Sequence, residues 1–377
     1  MDKPRSLEHP ILFITRTYPP VIGGMETLSY HLTNTVSRLT QTYLIKNPYG
    51  KKALPFFAVY ALFKAIVILL FKEVQVVHLS DGVLAPVGII LSWIFPKIRV
   101  VSNIHGLDVA YVEQLPIYQY TNMWAIKRLD RIIAVSQEVK ETCLRYNIPE
   151  EIITVIPNGT EADAFYDVKI KKDKANGWHK FFPSIAKKIT EEESFVILSL
   201  GRIVKRKGLV WFINNVMPEL PKKVLLLVAS SGPDLERAQK AVRQNKFENR
   251  VVFLGFISEE EKKFLLNAAD ILVMPNIKVK GDREGFGITV IEAGSCELVP
   301  VVSDLEGLKD AISDKENGLR IPAKDKKKFV ETIKFLMDNP GYRIGLGKKA
   351  RRYVKENFDW SVIGERYLEE FKKLEGN

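Results

Sequence analysis

The stretch Glu284-Gly-Phe-Gly-Ile-Thr-Val-Ile-Glu292 combines a glycine turn with two carboxylates eight residues apart. It follows an apolar run at residues 271–274 and a polar loop, and it leads into an apolar pattern with helical spacing. Gly285 and Gly287 free the backbone to present N–H groups to an anion at the N-terminus of that helix. Glu292 is suited to accept hydrogen bonds from ribose hydroxyl groups, and Glu284 faces whatever lies beyond the phosphates. A strand, a glycine turn and a helix in this order predict a diphosphate site in a doubly wound α/β sheet.

Short apolar runs alternate with amphipathic stretches along the whole chain, which is typical of β-α-β units and parallel sheets. Helices are predicted at residues 26–39 and 137–146, the second capped by Ser136. Because ligands of open parallel sheets bind beyond the carboxyl ends of the strands, the residues after each strand are the candidate functional residues. The predicted strands are residues 11–15, 74–79, 99–103, 131–135, 153–156, 195–200, 224–228, 251–254, 271–274 and 299–302.

A Lys- and Glu-rich stretch at residues 169–193 interrupts this alternation, and the strand pattern then restarts. A chain of 377 residues is long enough for two domains. We therefore predict two Rossmann-like doubly wound parallel-sheet domains that face a common cleft. The predicted boundaries are residues 1–170 for the first domain, 171–193 for a linker and 194–350 for the second domain.

The composition is that of a globular protein, with 46% hydrophobic and 27% charged residues, and this excludes disorder, collagen and coiled coil as overall descriptions. Lys and Arg number 56 against 45 Asp and Glu, which gives a net charge of +11. No nucleic acid partner is expected, because no recognition helix, aromatic RNA-binding pattern or zinc finger accompanies the basic residues. Two cysteines, Cys143 and Cys296, form neither a disulfide framework nor a metal-ligand spacing, so we expect a cytoplasmic protein.

Two apolar segments, residues 53–71 and 83–95, stand out in the N-terminal half. The first is long enough to cross the hydrocarbon of a bilayer, but it contains Lys64, whose charge would be costly there. Two helices packed on a sheet are the favoured interpretation, and membrane insertion is the alternative. Peripheral contact with the cytoplasmic face of a membrane also stays open, because basic residues that attract anionic lipid flank both segments. These are Lys46, Lys51, Lys52, Lys72, Lys97 and Arg99.

Two strand ends in the N-terminal half have candidate functional residues. Gly23 and Gly24 precede a predicted helix, where backbone N–H groups can approach an anion, although a simple tight turn is the alternative. His105 and Asp108 follow the predicted strand at residues 99–103. A lone His is often a structural hydrogen-bonding group, but its place at a strand end beside a Gly and an Asp favours a functional role.

The loop after residues 195–200 is the most basic of the strand ends. Arg202 and Lys207 are both within reach of a diphosphate there, arginine as a rigid fork and lysine as a point charge. A solvent-facing basic loop is the alternative. Gly201 and Gly208 punctuate the loop and favour the phosphate site.

Together these motifs resemble the GT-B-fold retaining glycosyltransferases of family 4. Glu284 and Glu292 match the E-x7-E motif of the family, and the Arg202/Lys207 loop resembles its donor-phosphate pair. The Gly23-Gly24 turn resembles its N-terminal glycine loop, and the His105 segment resembles its acceptor-side motif. Further segments fall in the family's order, namely Ala134-Val135-Ser136, Pro157-Asn158-Gly159, Gly255-Phe256, Ala269-Asp270 and Pro300-Val-Val-Ser-Asp304.

The sequence also departs from the family's pattern. Thr160-Glu161 stands where a hydrophobic residue and Asp are usual, and Ser230-Ser231-Gly232-Pro233 replaces a more glycine-rich turn. Leu305-Glu306-Gly307 stands where Gly-Gly is common. Because this last change touches a loop near the donor, it puts in doubt any nucleotide or sugar preference carried over from relatives.

The resemblance implies transfer of a hexose from a nucleotide diphosphate sugar, GDP-mannose or a UDP-sugar, to a glycan or lipid-linked acceptor with retention of configuration. It also implies that a C-terminal helix at residues 351–377 crosses back to the first domain. The chain contains no Asp-x-Asp, so we expect no metal and no cofactor, with cationic side chains and helix N–H groups stabilising the leaving diphosphate instead. A noncatalytic nucleotide-sugar-binding protein, or another GT-B enzyme such as a phosphorylase, is the alternative.

The resemblance assigns roles to individual residues. The expected catalytic residues are His105, Glu284, Arg202 and Lys207, and the expected acceptor-side residues are His105 and Asp108. The expected donor-binding residues are Gly23, Gly24, Gly201, Arg202, Lys207, Glu284, Gly285, Phe286, Gly287, Ile288, Thr289 and Glu292.

Overall fold

The structure is a computed structural model that describes residues 7–20, 24–47, 54–106, 108 and 116–375. The chain forms two compact units. Unit 1 contains Met1–Gly159 and Trp360–Asn377, and unit 2 contains Thr160–Asp359. Each unit contains a parallel sheet of six described strands with helices between the strands, which confirms the predicted fold class.

The sheet of unit 1 has the strand order β2-β1-β3-β4-β5-β6, and all its described pairings are parallel. Strands β1 and β3 are buried along their whole length because helices cover both faces, and this explains their continuous apolar runs. The strands are β1 (Ile11–Thr15), β2 (Thr42–Lys46), β3 (Val76–Leu79), β4 (Arg99–Ile104), β5 (Arg131–Ala134) and β6 (Ile153–Val155).

The helices of unit 1 include the two apolar segments seen in the sequence. On the second helix, Phe57, Ala61, Ala65 and Leu69 are buried, and this helix contacts β2 and the third helix. This agrees with the interpretation that the apolar segments are helices packed on a sheet. Within the described ranges, no helix has both the length and the apolar character needed to span a membrane. The helices are α1 (Gly24–Leu39), α2 (Leu54–Phe71), α3 (Ala85–Ile94), α4 (Pro116–Ile126), α5 (Gln137–Arg145) and, at the C-terminus, α16 (Trp360–Glu375).

The sheet of unit 2 has the strand order β9-β8-β7-β10-β11-β12, again with parallel pairing. Its core fills the space between the sheet and its helices, with Phe212, Phe329 and Ile333 among the fully buried side chains. The strands are β7 (Phe195–Leu200), β8 (Val224–Ala229), β9 (Val251–Gly255), β10 (Ile271–Met274), β11 (Val299–Ser303) and β12 (Leu319–Ile321).

The helices of unit 2 begin before its first strand. They are α6 (Val168–Lys172), α7 (Lys174–Phe181), α8 (Pro183–Thr190), α9 (Leu209–Asn215), α10 (Leu235–Gln244), α11 (Glu259–Ala268), α12 (Ile288–Ser295), α13 (Leu308–Ala311), α14 (Lys326–Asp338) and α15 (Pro340–Asn357).

The predicted boundaries need correction. Residues 160–170 and the predicted linker 171–193 belong to unit 2, where α6, α7 and α8 fold. Trp178 anchors this segment, since it is 2% exposed and its ring lies 4.8 Å from that of Phe264. The high charge suggested a linker, whereas the apolar side chains among the lysines are spaced to pack on unit 2. At the C-terminus, the predicted crossing segment 351–377 is divided, because residues 351–359 belong to unit 2 and α16 belongs to unit 1.

Candidate active site

The candidate site in unit 2 lies where the strand order of the sheet reverses. Successive strands run outward from β7 to β9, and the chain then returns to place β10 on the other side of β7. Loops at such a switch point diverge and leave a crevice at the carboxyl ends of the strands. The loop after β7 contains Arg206 and Lys207, and the loop after β10 contains Asn276, Asp282 and Glu284.

Glu284 is the centre of this site. Lys207 Nζ lies 2.5 Å from its Oε2 atom, Asn276 Nδ2 donates to the same oxygen at 3.0 Å, and the Arg206 guanidinium pairs with it as well. Arg206 also contacts Asp282, with 2.9 Å between Nε and Oδ1. The three donors therefore converge on Oε2, and Oε1 receives none of these contacts.

The charges of the cluster set the ionisation of Glu284. Burial alone would raise the pKa of this carboxyl, but Lys207 and Arg206 outweigh the burial and hold the pKa at about 2. Burial in turn lowers the pKa of Lys207, and the negative charge of Glu284 opposes that effect. Glu284 is therefore an anion at neutral pH and is suited to accept hydrogen bonds.

Glycines allow the two loops to approach each other. Gly208 has φ +68°, and a Cβ atom there would lie 1.9 Å from the carbonyl oxygen of Pro275, so only glycine fits between the loops. Gly287 has φ +90° and precedes α12 without providing a side-chain cap. Because Gly287 has no side chain to cap α12, the first N–H groups of this helix, which lie beside Glu284, are placed to bind an anion.

The other predicted donor-binding residues of unit 2 differ in whether the side chain or only the backbone is available to a donor. Glu292 lies on α12 and pairs with Lys262 of α11, with 2.8 Å between Oε1 and Nζ. The ring of Phe286 is buried against Phe358, with ring centroids 5.6 Å apart, so only its backbone is suited to contact a donor. Arg202 has an exposed side chain just after β7. Gly201, Gly285, Ile288 and Thr289 lie in the same loops and in the first turn of α12.

Two of the predicted site residues of unit 1, His105 and Asp108, lie together at the carboxyl end of β4. His105 Nε2 donates to the Ser80 carbonyl oxygen at 3.1 Å, and Asp108 accepts from the His105 backbone N–H at 2.9 Å. Asp108 is buried and closes the turn around Gly106. Gly24 begins α1 with open space around its Cα, and Gly23 lies outside the described residues.

A buried ion pair occupies the switch point of unit 1. Arg16 Nε lies 2.7 Å from Asp81 Oδ2, and the other oxygen of Asp81 accepts from the Val83 N–H at 3.0 Å. Burial and the nearby charge of Asp108 raise the pKa of Asp81, and Arg16 opposes this shift. In the part of the chain that the structure describes, no group of three or more His, Cys, Asp and Glu side chains is placed to hold a metal ion.

Comparison with known proteins gives a family match in each of the two units. The family model described as "Glycosyltransferase Family 4" matches residues 5–164, and the one described as "Glycosyl transferases group 1" matches residues 181–356. The Anabaena protein HepE, solved in complex with UDP, has a similar fold with a TM-score of 0.76. The two chains are 16% identical, and the match covers 96% of this chain and 99% of the other. This chain belongs to the GT-B glycosyltransferases of family 4.

The glycosyltransferase has relatives in archaea and bacteria. It is 27% identical to an uncharacterized glycosyltransferase of Methanocaldococcus jannaschii over 333 residues, which cover 84% of this chain and 82% of the relative. It is 33% identical over 179 residues to the GDP-mannose-dependent monoacylated α-(1-6)-phosphatidylinositol monomannoside mannosyltransferase of Corynebacterium glutamicum. That match covers 45% of each chain.

Sequence reasoning missed four residues of the candidate site. Arg206 and Asn276 contact Glu284, Lys262 pairs with Glu292, and Glu306 accepts from the Glu284 backbone N–H at 2.7 Å. Arg206 lies in the motif that drew attention to Arg202 and Lys207, so its position was a usable signal. Asn276 lies in the loop that leads to Glu284, and Glu306 lies in a segment that the sequence analysis placed near the donor, so both had a local signal. Lys262 comes from a separate helix, and only the fold brings it to Glu292.

Proposed function

We propose that this glycosyltransferase moves a hexose from a nucleotide diphosphate sugar to a glycan or lipid-linked acceptor, with retention of configuration and without a metal ion. The observation that carries the proposal is the convergence of Lys207, Arg206 and Asn276 on one oxygen of Glu284 at the switch point of unit 2. It combines cations for a leaving diphosphate with an anionic acceptor for sugar hydroxyl groups. Both are required when a sugar leaves a nucleotide.

The diphosphate of the donor would lie against the basic loop and the N-terminus of α12. Lys207, with Arg202 in the same loop, would neutralise the charge that grows on the leaving phosphate. The N–H groups around Phe286–Thr289 add a helix terminus that attracts anions. Fixed cations and amides of this kind support the metal-independent part of the proposal.

The sugar and the ribose would contact the two glutamates. Glu284 presents Oε1 to hydroxyl groups of the donor sugar, because its partners lie on Oε2. Asn276 Oδ1 is buried and makes no hydrogen bond to another described residue, so it is a second acceptor for a hydroxyl group. Glu292 would accept from ribose hydroxyl groups, with Lys262 holding its carboxylate in place.

The reaction would proceed on one face of the sugar. The bond from C1 to the phosphate oxygen breaks as the acceptor oxygen bonds to C1 from the same side, and the acceptor proton passes to the leaving phosphate oxygen. His105 would orient the acceptor or the sugar. Its Nε2 is hydrogen-bonded to a carbonyl oxygen and therefore has the proton, which leaves Nδ1 as the acceptor in the neutral ring.

The donor and the place of action are also part of the proposal. The Corynebacterium relative is named for GDP-mannose and for a phosphatidylinositol glycoside, and HepE was solved with UDP. We propose GDP-mannose or a UDP-sugar as the donor. The proposed place of action is the cytoplasm, at the cytoplasmic face of a membrane.

Thermal unfolding of the chain with GDP, UDP or ADP, in EDTA and in Mg²⁺, tests the donor site. A nucleotide at 100 times its dissociation constant stabilises the protein by about 2.7 kcal/mol. One nucleotide should stabilise the protein equally in EDTA, and NMR of the product from the matching nucleotide sugar should show the donor's anomeric configuration. An inverted product would refute retention, and loss of transfer in EDTA would refute metal independence.

A further inference from the structure

Helix α2 of unit 1 exposes a continuous apolar face. Its exposed residues recur every three or four positions, so they share one side of the helix. Phe56 is 79% exposed, Phe63 is 67% exposed and Phe71 is 78% exposed, whereas Phe57 and Ala61 on the opposite side are fully buried. The same side of α2 also presents Val59, Tyr60, Val67 and Leu70.

The apolar face continues across the two neighbouring helices, because α3 contacts both α2 and α4. Trp93 and Ile94 of α3 are exposed, as are Tyr120 and Trp124 of α4. The rings of Trp93 and Trp124 meet edge to face, with centroids 5.8 Å apart, and so join the two helices at the surface. We call the exposed apolar side chains of α2, α3 and α4 together the apolar face. A soluble monomer rarely exposes so many large apolar side chains side by side.

The charges described around the apolar face favour an anionic partner on balance, because exposed cations there outnumber the exposed carboxylate of Glu73 at the end of α2. The sequences of α2, α3 and α4 contain no Asp or Glu. Lys64 lies along α2 with its Nζ atom 3.1 Å from the Tyr60 hydroxyl oxygen, so its charge is directed to one edge of the helix. The ends of the three helices add exposed cations, which are Lys72, Lys97, Lys127 and Arg128.

We propose that the apolar face inserts into one leaflet of a bilayer that contains anionic lipid, with α2 lying in the plane of the membrane. Side chains of Phe, Leu and Val would enter the acyl region, and Trp93, Trp124 and Tyr60 would lie at headgroup level, as aromatic residues do at membrane interfaces. The lysine rim would bind the anionic headgroups. A bilayer suits this combination better than a protein does, because exposed cations follow the ends of all three helices and outnumber the neighbouring carboxylate of Glu73.

The packing of α2 limits how deeply it inserts. Its opposite side is buried against unit 1, so only the exposed side chains enter the leaflet, a depth of about 5–10 Å. Insertion of this kind needs no helix that crosses the bilayer. The inference extends the place of action given under the proposed function, but the binding itself requires neither a donor nor an acceptor.

Flotation of the full chain with vesicles tests the inference. Vesicles of phosphatidylcholine are compared with vesicles that also contain phosphatidylglycerol, at low and high salt. The chain should float with the anionic vesicles, and salt should weaken this binding only in part, because the apolar contribution is not screened. Failure of the chain to float with either vesicle would refute the proposal.

Matched variants separate the apolar and the charge contributions. Phe63→Ser with Val67→Ser should weaken vesicle binding about a hundredfold, since each inserted side chain contributes about tenfold. The control is Phe335→Ser with Ile344→Ser, which removes exposed apolar side chains from unit 2 and should leave binding unchanged. Lys72→Glu with Lys97→Glu should remove the preference for anionic vesicles, whereas Lys328→Glu with Lys348→Glu should not.

Two measurements distinguish the remaining outcomes. Light scattering that shows a dimer, lost in Phe63→Ser with Val67→Ser and without vesicle binding, would assign the apolar face to a second copy and refute the proposal. Thermal shifts with nucleotides, taken on the same samples, report the donor site separately. Vesicle binding without any nucleotide shift would support the membrane inference and count against the proposed reaction.

Discussion

Each sheet has a carboxylate paired with a cation at its switch point, but the pKa of that carboxylate is shifted in opposite directions in the two sheets. In unit 1, between β1 and β3, Asp81 is completely buried and, among the residues described, pairs with Arg16. In unit 2, between β7 and β10, Glu284 faces Arg206 and Lys207 together. Burial raises the pKa of Asp81, with the charge of Asp108 adding to it, whereas the two cations hold the pKa of Glu284 at about 2.

The difference lies in the number of cations, because the topology is shared. One arginine does not offset full burial and a neighbouring carboxylate, and the remaining oxygen of Asp81 is used to cap a helical turn at Val83. Two cations and an amide more than offset the burial of Glu284. A switch point therefore provides a crevice, and the residues on its loops decide whether a ligand binds there.

Removal of the Glu284 carboxylate should have the largest effect. In Glu284→Ala, Lys207 loses its anion while Arg206 keeps Asp282, and an uncompensated buried charge costs about 3–5 kcal/mol of unfolding free energy. Transfer should also fall to a small fraction of the wild-type rate, because the donor sugar loses its acceptor of hydrogen bonds. Thermal unfolding and a transfer assay measure the two effects.

Asp81→Asn is the matched change in unit 1. Because burial already disfavours the charged form of Asp81, the neutral side chain should cost less than Glu284→Ala and should still accept from the Val83 N–H. If Glu284→Ala kept full turnover and wild-type stability, the contrast between the two switch points would have no functional meaning.

Lys207→Ala should slow transfer by the next largest amount. Loss of one donor to a developing anion costs about 2.7–4 kcal/mol in the transition state, or a factor of about 100–1,000 in kcat. Lys205→Ala is the control, because this exposed lysine lies in the same loop and removes the same charge. Equal losses in the two variants would show that only the net charge of the loop matters.

Much of this arrangement follows from the sequence. Strands β1, β7 and β10 have the predicted bounds, because buried parallel strands leave continuous apolar runs. The strands β2 and β12 were missed. Both are edge strands, and Thr42–Lys46 is only half-buried while Leu319–Ile321 has three residues, so neither leaves a clear apolar run.

The site was less predictable than the fold. Glu284, Glu292 and Lys207 stand out because glycines surround them in the sequence. The spacing within the loop after β7 did not show that Arg206 rather than Arg202 reaches Glu284, because this depends on how the 3₁₀ turn at Lys205–Lys207 directs each side chain. Partners from distant segments, such as Lys262, leave no local pattern at all.

His78 should make unit 1 lose stability in acid before unit 2 does, with the raised pKa of Asp81 acting in the opposite direction. Burial lowers the pKa of His78 to about 4, against 6.5 in an unfolded chain. Between pH 6.5 and 4 the unfolded state binds the proton and the folded state does not, so stability falls as the pH falls, by about 3 kcal/mol in total. Glu284 causes a comparable loss only below pH 4.5, where the unfolded carboxylate begins to bind protons.

Hydrogen exchange at pH 7 and pH 5 measures this difference. Protection of β3 and β4 should fall more than that of β10 and β11. The substitution His78→Leu removes the titrating group and should flatten the response of unit 1 to pH. A wild-type protein whose two units lose protection equally would contradict the assignment to His78.

Glu306→Gly should have the smallest effect, because two contributions oppose each other. Glu306 has φ +52°, and a residue other than glycine in this region costs about 1–2 kcal/mol. Its carboxylate accepts from the Glu284 N–H at 2.7 Å, and a hydrogen bond to a charged group contributes about 1.5–3 kcal/mol. The glycine variant gains the first and loses the second, so its unfolding free energy should fall by about 1 kcal/mol.

The sign of that small change decides what Glu306 does in the place where the family commonly has glycine. A fall of the melting temperature by about 2–4 °C, with a lower kcat and an unchanged KM, would show that Glu306 positions the backbone of Glu284. Glu306→Gln keeps the strained conformation and an oxygen that accepts the hydrogen bond, so it should stay closer to wild type in kcat. If the glycine variant were more stable and equally active, the strain would outweigh the bond, and the contrast between the switch points would rest on Arg206 and Lys207 alone.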